Sequence, residues 1–216
     1  MGKNGNFILI NAVIFSAAFG FLEAAVVVYL RELWYPQGFS FPIKLVSGRI
    51  ITAEYWREAA TLIMIFSAAC IAGKTRLQRF AYFMLIFGVW DIIFYVSLKT
   101  LINWPASILE YDLLFLLPAP WTGPVLAPVI ISASMITAGI IIIKFIDHGI
   151  KFYQTGVIWA LEITGGVIVF LSFIASAGDV IKGCYPSRFS WLVFSAGWLL
   201  ALITFIYSLK KQKNHK

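Results

Sequence analysis

Long apolar runs alternate with short polar connections along this chain. The six runs cover residues 7–30, 54–73, 79–98, 125–146, 155–177 and 190–209. A helix rises 1.5 Å per residue, so roughly 20 apolar residues are enough to cross the ~30 Å hydrocarbon core of a bilayer. The pattern therefore predicts an all-α bundle of six transmembrane helices, forming a single transmembrane domain over residues 1–216.

The long connections all fall on one side of the predicted bundle, at residues 31–53, 99–124 and 178–190. They are rich in aromatic residues and proline. In the stretch WPASILEYDLLFLLPAPWTGPVLAP, Ser107 is suited to cap a helix and Glu110 has the spacing of a capping box. The apolar residues that follow predict a short interfacial helix at about 107–117, which Pro118 and Pro120 end. The sequence thus predicts an ordered cap that includes this helix.

The composition agrees with a membrane protein. Hydrophobic residues make up 61% of the chain and charged residues 12%, about half the share found in soluble domains. The mean hydropathy is +0.87. The net charge of +7 comes from residues near the ends of the apolar runs, which favours contact with lipid headgroups and argues against a nucleic-acid partner.

The positions of lysine and arginine predict the orientation. With the N-terminus inside, ten basic residues lie on the cytoplasmic side: Lys3, Lys74, Arg76, Arg79, Lys144, Lys151, Lys210, Lys211, Lys213 and Lys216. Seven lie on the other side: Arg31, Lys44, Arg49, Arg57, Lys99, Lys182 and Arg188. The positive-inside rule therefore predicts cytoplasmic N- and C-termini, an extracytoplasmic cap and insertion into the plasma or inner membrane.

Acidic residues inside the predicted spans are the main candidates for chemistry. Glu23 and Asp91 lie at similar depths in the first and third spans, about 10 Å from the outer end of each helix. An ionised carboxylate at that depth costs several kcal/mol unless it is paired, hydrated or protonated. One interpretation is structural, with the pairs Glu23–Arg57 and Asp91–Lys99 or Asp91–Tyr95 holding the first three helices together.

The other interpretation is functional. The same acids would line an outward-facing pocket that binds a cation, a proton or a polar group of a substrate. The residues predicted to form this pocket are Glu23, Arg57, Glu58, Asp91, Tyr95 and Asp112.

A stripe of small and polar residues follows the helical period along the fifth span. It runs from Glu162 through Gly165, Gly166, Ser172 and Ser176 to Asp179. Small residues at this spacing favour close helix packing. Glu162 is too large for that role, so Glu162 and Asp179 are predicted as a relay for protons or ions.

The residue inventory argues against several chemistries. The chain has two histidines, His148 and His215, one in a predicted inner loop and one in the tail. A bis-histidine haem, a histidine-rich zinc site and a Ser-His triad on the outer side therefore lack their ligands or base. No metal site is predicted, and the sequence leaves the cofactor unknown.

These patterns favour a transporter, or a membrane-embedded binding component, for a small solute, an ion or a lipid. The first alternative is a membrane enzyme acting on a lipid or isoprenoid at the outer leaflet. The second is a non-catalytic subunit or assembly factor of a larger membrane complex. The bilayer is the predicted partner in all three cases. A membrane-protein partner or a second copy of the chain stays open, as does the question of enzymatic activity.

Overall fold

The computed structural model describes residues 3–43, 48–150, 152 and 154–213 and is 74% helical. The elements in chain order are α1 (Lys3–Trp34), α2 (Gly48–Ala72), α3 (Arg76–Ile102), β1 (Tyr111–Phe115), β2 (Trp121–Pro124), α4 (Leu126–Asp147), α5 (Gly156–Ile174), α6 (Ala177–Ile181) and α7 (Trp191–Lys213).

The prediction of six transmembrane helices is confirmed. Among the residues described, six helical segments are long and apolar enough to cross a membrane. The chain is therefore an integral, multi-pass membrane protein. On one side α1 reaches Trp34 and α3 reaches Ile102, four residues beyond the predicted ends at 30 and 98. Charged residues such as Arg31 and Lys99 lower the local hydropathy there, but they do not stop the helix.

Helix α3 lies at the centre of the bundle. In its most apolar window 61% of the residues are buried, against 22–33% in the other five spans. The core around α3 includes Tyr82 and Leu85, packed with Ile65 of α2 and Ile143 of α4. The other helices turn a large part of their apolar surface outward, as expected where the surrounding solvent is lipid.

Glycines bring α5 and α7 into close contact. A Cβ atom added at Gly165 would lie 2.7 Å from the carbonyl oxygen of Gly197, and one at Gly197 would lie 2.7 Å from that of Gly165. The packing interpretation is therefore confirmed for Gly165. It does not extend to Gly166, because a Cβ atom there would meet nothing within 4 Å.

We expect Gly165→Ala to destabilise the α5–α7 contact by about 1–3 kcal/mol, the usual effect of overpacking a close-packed site. Gly166→Ala is the matched control, one residue along the same helix in open space. The measurement is the thermal unfolding midpoint of each purified variant in detergent. Equal midpoints for the two variants would contradict the role of this crossing.

The predicted interfacial helix at about 107–117 is wrong. Strands β1 and β2 form an antiparallel hairpin, with Tyr111 opposite Pro124 and Asp112 opposite Gly123. Glu110 does reach back to accept the backbone N–H of Ala106 at 2.7 Å, but this contact closes a turn and starts no helix. A short apolar run suits a strand as well as a helix, and here residues 121–124 supply the pairing partner.

We call the membrane side on which residues 111–124 lie the hairpin side. The α1–α2 connection, the α3–α4 connection and the α6–α7 connection meet there, so the predicted cap exists in this altered form. Residues 44–47 of the first connection lie outside the described residues.

Candidate functional site

A cavity of about 420 Å³ lies between the hairpin and the adjoining halves of α1 to α4. Its lining includes all the residues predicted for the pocket: Glu23, Arg57, Glu58, Asp91, Tyr95 and Asp112. Arg31 and Glu54 also line it. Tertiary folding thus brings together residues that are up to 89 positions apart between Glu23 and Asp112.

Arg57 links α1 to α2. Its guanidinium forms an ion pair with the buried carboxylate of Glu23 and donates hydrogen bonds of 2.9 Å and 2.7 Å to Oε2 of Glu54. The hydroxyl of Thr61 donates to the second oxygen of Glu23 at 3.2 Å. The predicted structural pair Glu23–Arg57 is therefore present, and each group has a second partner as well.

Arg31 links α1 to the hairpin. Its Nη2 donates to Oδ1 of Asp112 at 2.9 Å, and the hydroxyl of Tyr95 donates to Oδ2 at 3.3 Å. The guanidinium also lies 4.6 Å from the ring centroid of Phe39 and 3.8 Å from that of Trp104. Arg31 is not among the residues predicted for the pocket, because its partner lies 81 residues away along the chain.

Burial raises the pKa of Asp112 from its ordinary value of 3.8 to about 6. The positive charge of Arg31 opposes this effect, as do hydrogen bonds from the backbone N–H of Leu113 and from Tyr95. The negative charge of Glu110 adds a smaller upward effect. Burial and the ion pair with Arg31 therefore act on this pKa in opposite directions.

Glu58 holds the turn of the hairpin. Its carboxylate accepts the backbone N–H of Leu116 at 2.8 Å and 3.0 Å, and that of Leu117 at 3.2 Å. Both residues follow the end of β1, so their N–H groups have no partner on β2. Backbone donors within a membrane protein need a partner, so Glu58 has a structural role in the cavity wall.

Asp91 differs from the other acids in the cavity. It is 7% exposed, and the hydroxyl of Ser132 donates to its Oδ2 at 2.7 Å. Neither predicted pairing forms, since Tyr95 donates to Asp112 and Lys99 donates to the carbonyl oxygens of Asn103 and Pro105. Within the described part of the chain, no lysine or arginine nitrogen lies within 4.0 Å of Asp91.

Aromatic rings form another part of the cavity wall that Asp91 lines. Trp90 lies between Phe87 and Phe94 on α3, with ring-centroid distances of 5.5 Å and 6.2 Å. Phe115 of the hairpin lies 6.1 Å from Trp90 and 5.5 Å from Trp121. All five rings line the cavity. This wall is not among the sequence predictions, although the stretch FGVWDIIFY around Asp91 contains part of it.

The two residues predicted as a relay do not line the cavity. Glu162 lies about two turns into α5 from the end opposite the hairpin side. Asp179 accepts the backbone N–H of Ser187 at 3.2 Å and so closes a local turn. Ser172 and Ser176 of the same stripe are buried, and Ser176 shares a 2.5 Å hydrogen bond with Thr122 of β2.

Arginines or backbone N–H groups engage four of the five carboxylates in the cavity, and the hydroxyl of Ser132 engages the fifth, Asp91. Among the described residues, no group of three or more histidine, cysteine, aspartate or glutamate side chains could hold a metal ion.

The fold and the cavity together define a class of molecule, a six-span integral membrane protein with a cavity lined by aromatic and acidic residues. Comparisons with protein-family models, curated proteins and solved structures found no match for this chain. The chemistry of the cavity is therefore the main guide to function.

Proposed function

We propose that this protein is a transporter, or the membrane-embedded binding component of one, that takes a small solute into the cavity from the hairpin side. The proposal rests on the environment of Asp91. This buried carboxylate lies on the cavity wall and has a single hydroxyl donor and no cationic partner among the described residues. A buried charge without a partner is costly, so a bound ligand or a proton would stabilise it.

The shape of the cavity supports access from one side. Helices α1 to α4 contribute residues mainly from their halves nearest the hairpin. The lining residues Tyr55 and Ile181 are exposed, and we infer from them a mouth of the cavity between α2 and α6. Towards the opposite side, the bundle is filled by a core that includes Phe19, Ile86 and Ile142. A site open to one side and closed to the other is what alternating access requires of each of its two states.

We further propose that the hairpin side is extracytoplasmic, with both termini cytoplasmic. The support is the excess of lysine and arginine in the short α2–α3 connection and in the tail, both close to helix ends.

A non-catalytic subunit of a larger complex is the second candidate. Four of the five acids on the cavity wall make contacts that hold the fold together: Glu23, Glu54, Glu58 and Asp112. That arrangement favours a structural role for most of the polar cluster. It also weakens the enzyme alternative, because Asp91 is left without a second unengaged carboxylate with which to share acid and base roles.

Cysteine labelling tests the proposal in a background that carries Cys70→Ser and Cys184→Ser. Ile131→Cys places a thiol on the cavity wall. Leu22→Cys is the control, since Leu22 is 59% exposed beside Glu23 and does not line the cavity. A small membrane-impermeant thiosulfonate added from the hairpin side should modify Ile131→Cys and leave Leu22→Cys intact, because only the cavity admits water.

A sidedness control comes from the chain itself. Cys184 is exposed in the α6–α7 connection, so the single variant Cys70→Ser reports which side the reagent has reached. An Ile131→Cys thiol that reacts from neither side, or equally fast from both sides, would overturn the proposed one-sided binding cavity.

A further inference from the structure

We propose that the ligand of this cavity is an organic cation, an alkylated ammonium group attached to a compact apolar body. This inference rests on the proposed function and names its substrate class. The ammonium would lie against the carboxylate of Asp91 and the faces of the neighbouring aromatic rings.

The balance of charge on the cavity wall favours a cation. Five acids line the cavity, Glu23, Glu54, Glu58, Asp91 and Asp112, against two arginines. Both arginines are already paired with acids, since Arg57 contacts Glu23 and Glu54 while Arg31 contacts Asp112. The Nη1 atom of Arg31 has no hydrogen-bond partner among the described residues, but it is buried and does not face the open cavity. An anionic ligand would have to compete for these guanidinium groups, whereas a cation would compensate a charge that the described residues leave unpaired.

Asp91 provides the point of attachment. Its position on the central helix fixes its backbone, and the 2.7 Å hydrogen bond from Ser132 fixes its carboxylate. Asp91 is a buried residue, so an ion pair formed at its carboxylate would be screened little by salt. A carboxylate held in this way is suited to select a charged ligand over a neutral one of equal size.

The aromatic wall decides which kind of cation fits. Trp90, Phe94 and Phe115 line the same cavity as Asp91, and aromatic faces attract cations without requiring hydrogen bonds. A primary ammonium carries three N–H donors that must all find acceptors when it is buried. Of the acids on the wall, Asp91 alone has no arginine or backbone partner among the described residues. An alkylated ammonium, with one N–H or none, therefore suits the site better.

The size of the cavity limits the apolar body. About 420 Å³ lies near the lower end of the roughly 300–1,000 Å³ typical of sites for small organic ligands. The same alkylated ammonium could belong to a soluble compound or to a lipid headgroup that enters through the mouth between α2 and α6.

Isothermal titration calorimetry tests the inference on the full-length protein in a maltoside detergent, which contains no ammonium group. The probes are benzyltrimethylammonium and benzylammonium, together with choline and its uncharged analogue 3,3-dimethylbutan-1-ol. We expect each quaternary ammonium to bind at least tenfold more tightly than its partner. Asp91→Asn should weaken binding of benzyltrimethylammonium by at least tenfold, and Glu32→Gln, an exposed acid outside the cavity, should leave it unchanged.

A comparison of two short-chain lipids identifies the source of the ammonium group. Dihexanoyl phosphatidylcholine is compared with dihexanoyl phosphatidylglycerol below their micellar concentrations. Binding of the choline lipid alone would support the ammonium class and assign it to a headgroup. Equal binding of choline and its neutral analogue by the wild-type protein, or no binding of any ammonium probe, would overturn the inference even if Asp91→Asn failed to fold.

The two proposals fail in different ways. If the Ile131→Cys thiol reacts from the hairpin side and benzyltrimethylammonium neither binds nor slows that reaction, the cavity is a solute site and the cationic ligand is wrong. If the thiol is unreactive from both sides, the proposed function itself is wrong.

Discussion

Replacing Arg31 with glutamine should lower the free energy of unfolding by about 3–5 kcal/mol, the usual effect of removing one partner of a buried ion pair. The side chains of Arg31 and Asp112 are only 10% and 3% exposed. Without the guanidinium, Asp112 keeps a hydrogen bond from Tyr95 but no positive charge in contact. The hairpin would lose its link to α1, and the cavity would lose part of its wall.

This loss should depend on pH. Burial already raises the pKa of Asp112 from 3.8 to about 6, and removal of the Arg31 charge would raise it further. Between the pKa of Asp112 in the unfolded state and its higher pKa in the folded state, the folded protein holds a proton that the unfolded protein has released. The free energy of unfolding therefore falls as pH rises through this range. The deficit of Arg31→Gln relative to wild type should therefore be largest near pH 8 and shrink below pH 6, where Asp112 is neutral in both proteins.

Thermal unfolding of the two proteins in detergent at pH 5 and pH 8 measures this difference. Arg188→Gln removes an exposed positive charge on the same side of the membrane and serves as the control. Arg31→Lys should recover part of the stability, because lysine restores the charge but not the planar stacking between Phe39 and Trp104. A deficit that does not change with pH would show that the ion pair with Asp112 is not what Arg31 contributes.

Arg57→Gln should destabilise the protein by about 3 kcal/mol, since it leaves the buried carboxylate of Glu23 without a cation and frees Glu54 as well. Arg57 is 23% exposed at its side chain, more than Arg31, so water can compensate part of the loss. Because Arg57 is the main polar link between α1 and α2, we expect these two helices to separate first.

The double variant Glu23→Gln/Arg57→Gln shows whether Glu23 and Arg57 stabilise the protein as a pair or independently. Removing both charges leaves no uncompensated buried charge between these two positions, so the double variant should be more stable than Arg57→Gln alone. Arg49→Gln, an exposed position on the same helix, is the charge-matched control. Unfolding midpoints in detergent give the comparison, and additive losses from the two single variants would rule out coupling between Glu23 and Arg57.

The spans could be predicted from the sequence because each depends on its own residues. A run such as 79–98 must bury its backbone in its own hydrogen bonds wherever it crosses lipid, so apolar length alone predicts a helix. The depth of Glu23 and Asp91 follows from the same local geometry. The pairing of Glu23 with Arg57 was also predictable, since both lie near the same level on consecutive helices.

The hairpin could not be predicted in this way. Residues 111–115 are a short apolar run that fits a strand or a helix equally well. The choice depended on a partner strand at 121–124 and on Glu58, from a different helix, which accepts the N–H groups of Leu116 and Leu117.

The segments that cross the membrane follow from the local sequence alone, because the bilayer acts on each segment separately. Three features follow only from how the helices and the hairpin pack: Arg31 pairs with Asp112, Asp91 is left with Ser132, and Trp90 meets Phe115 on the cavity wall. Those contacts depend on how each helix is rotated and how the hairpin folds back, and both are set by packing between segments that are distant in the chain.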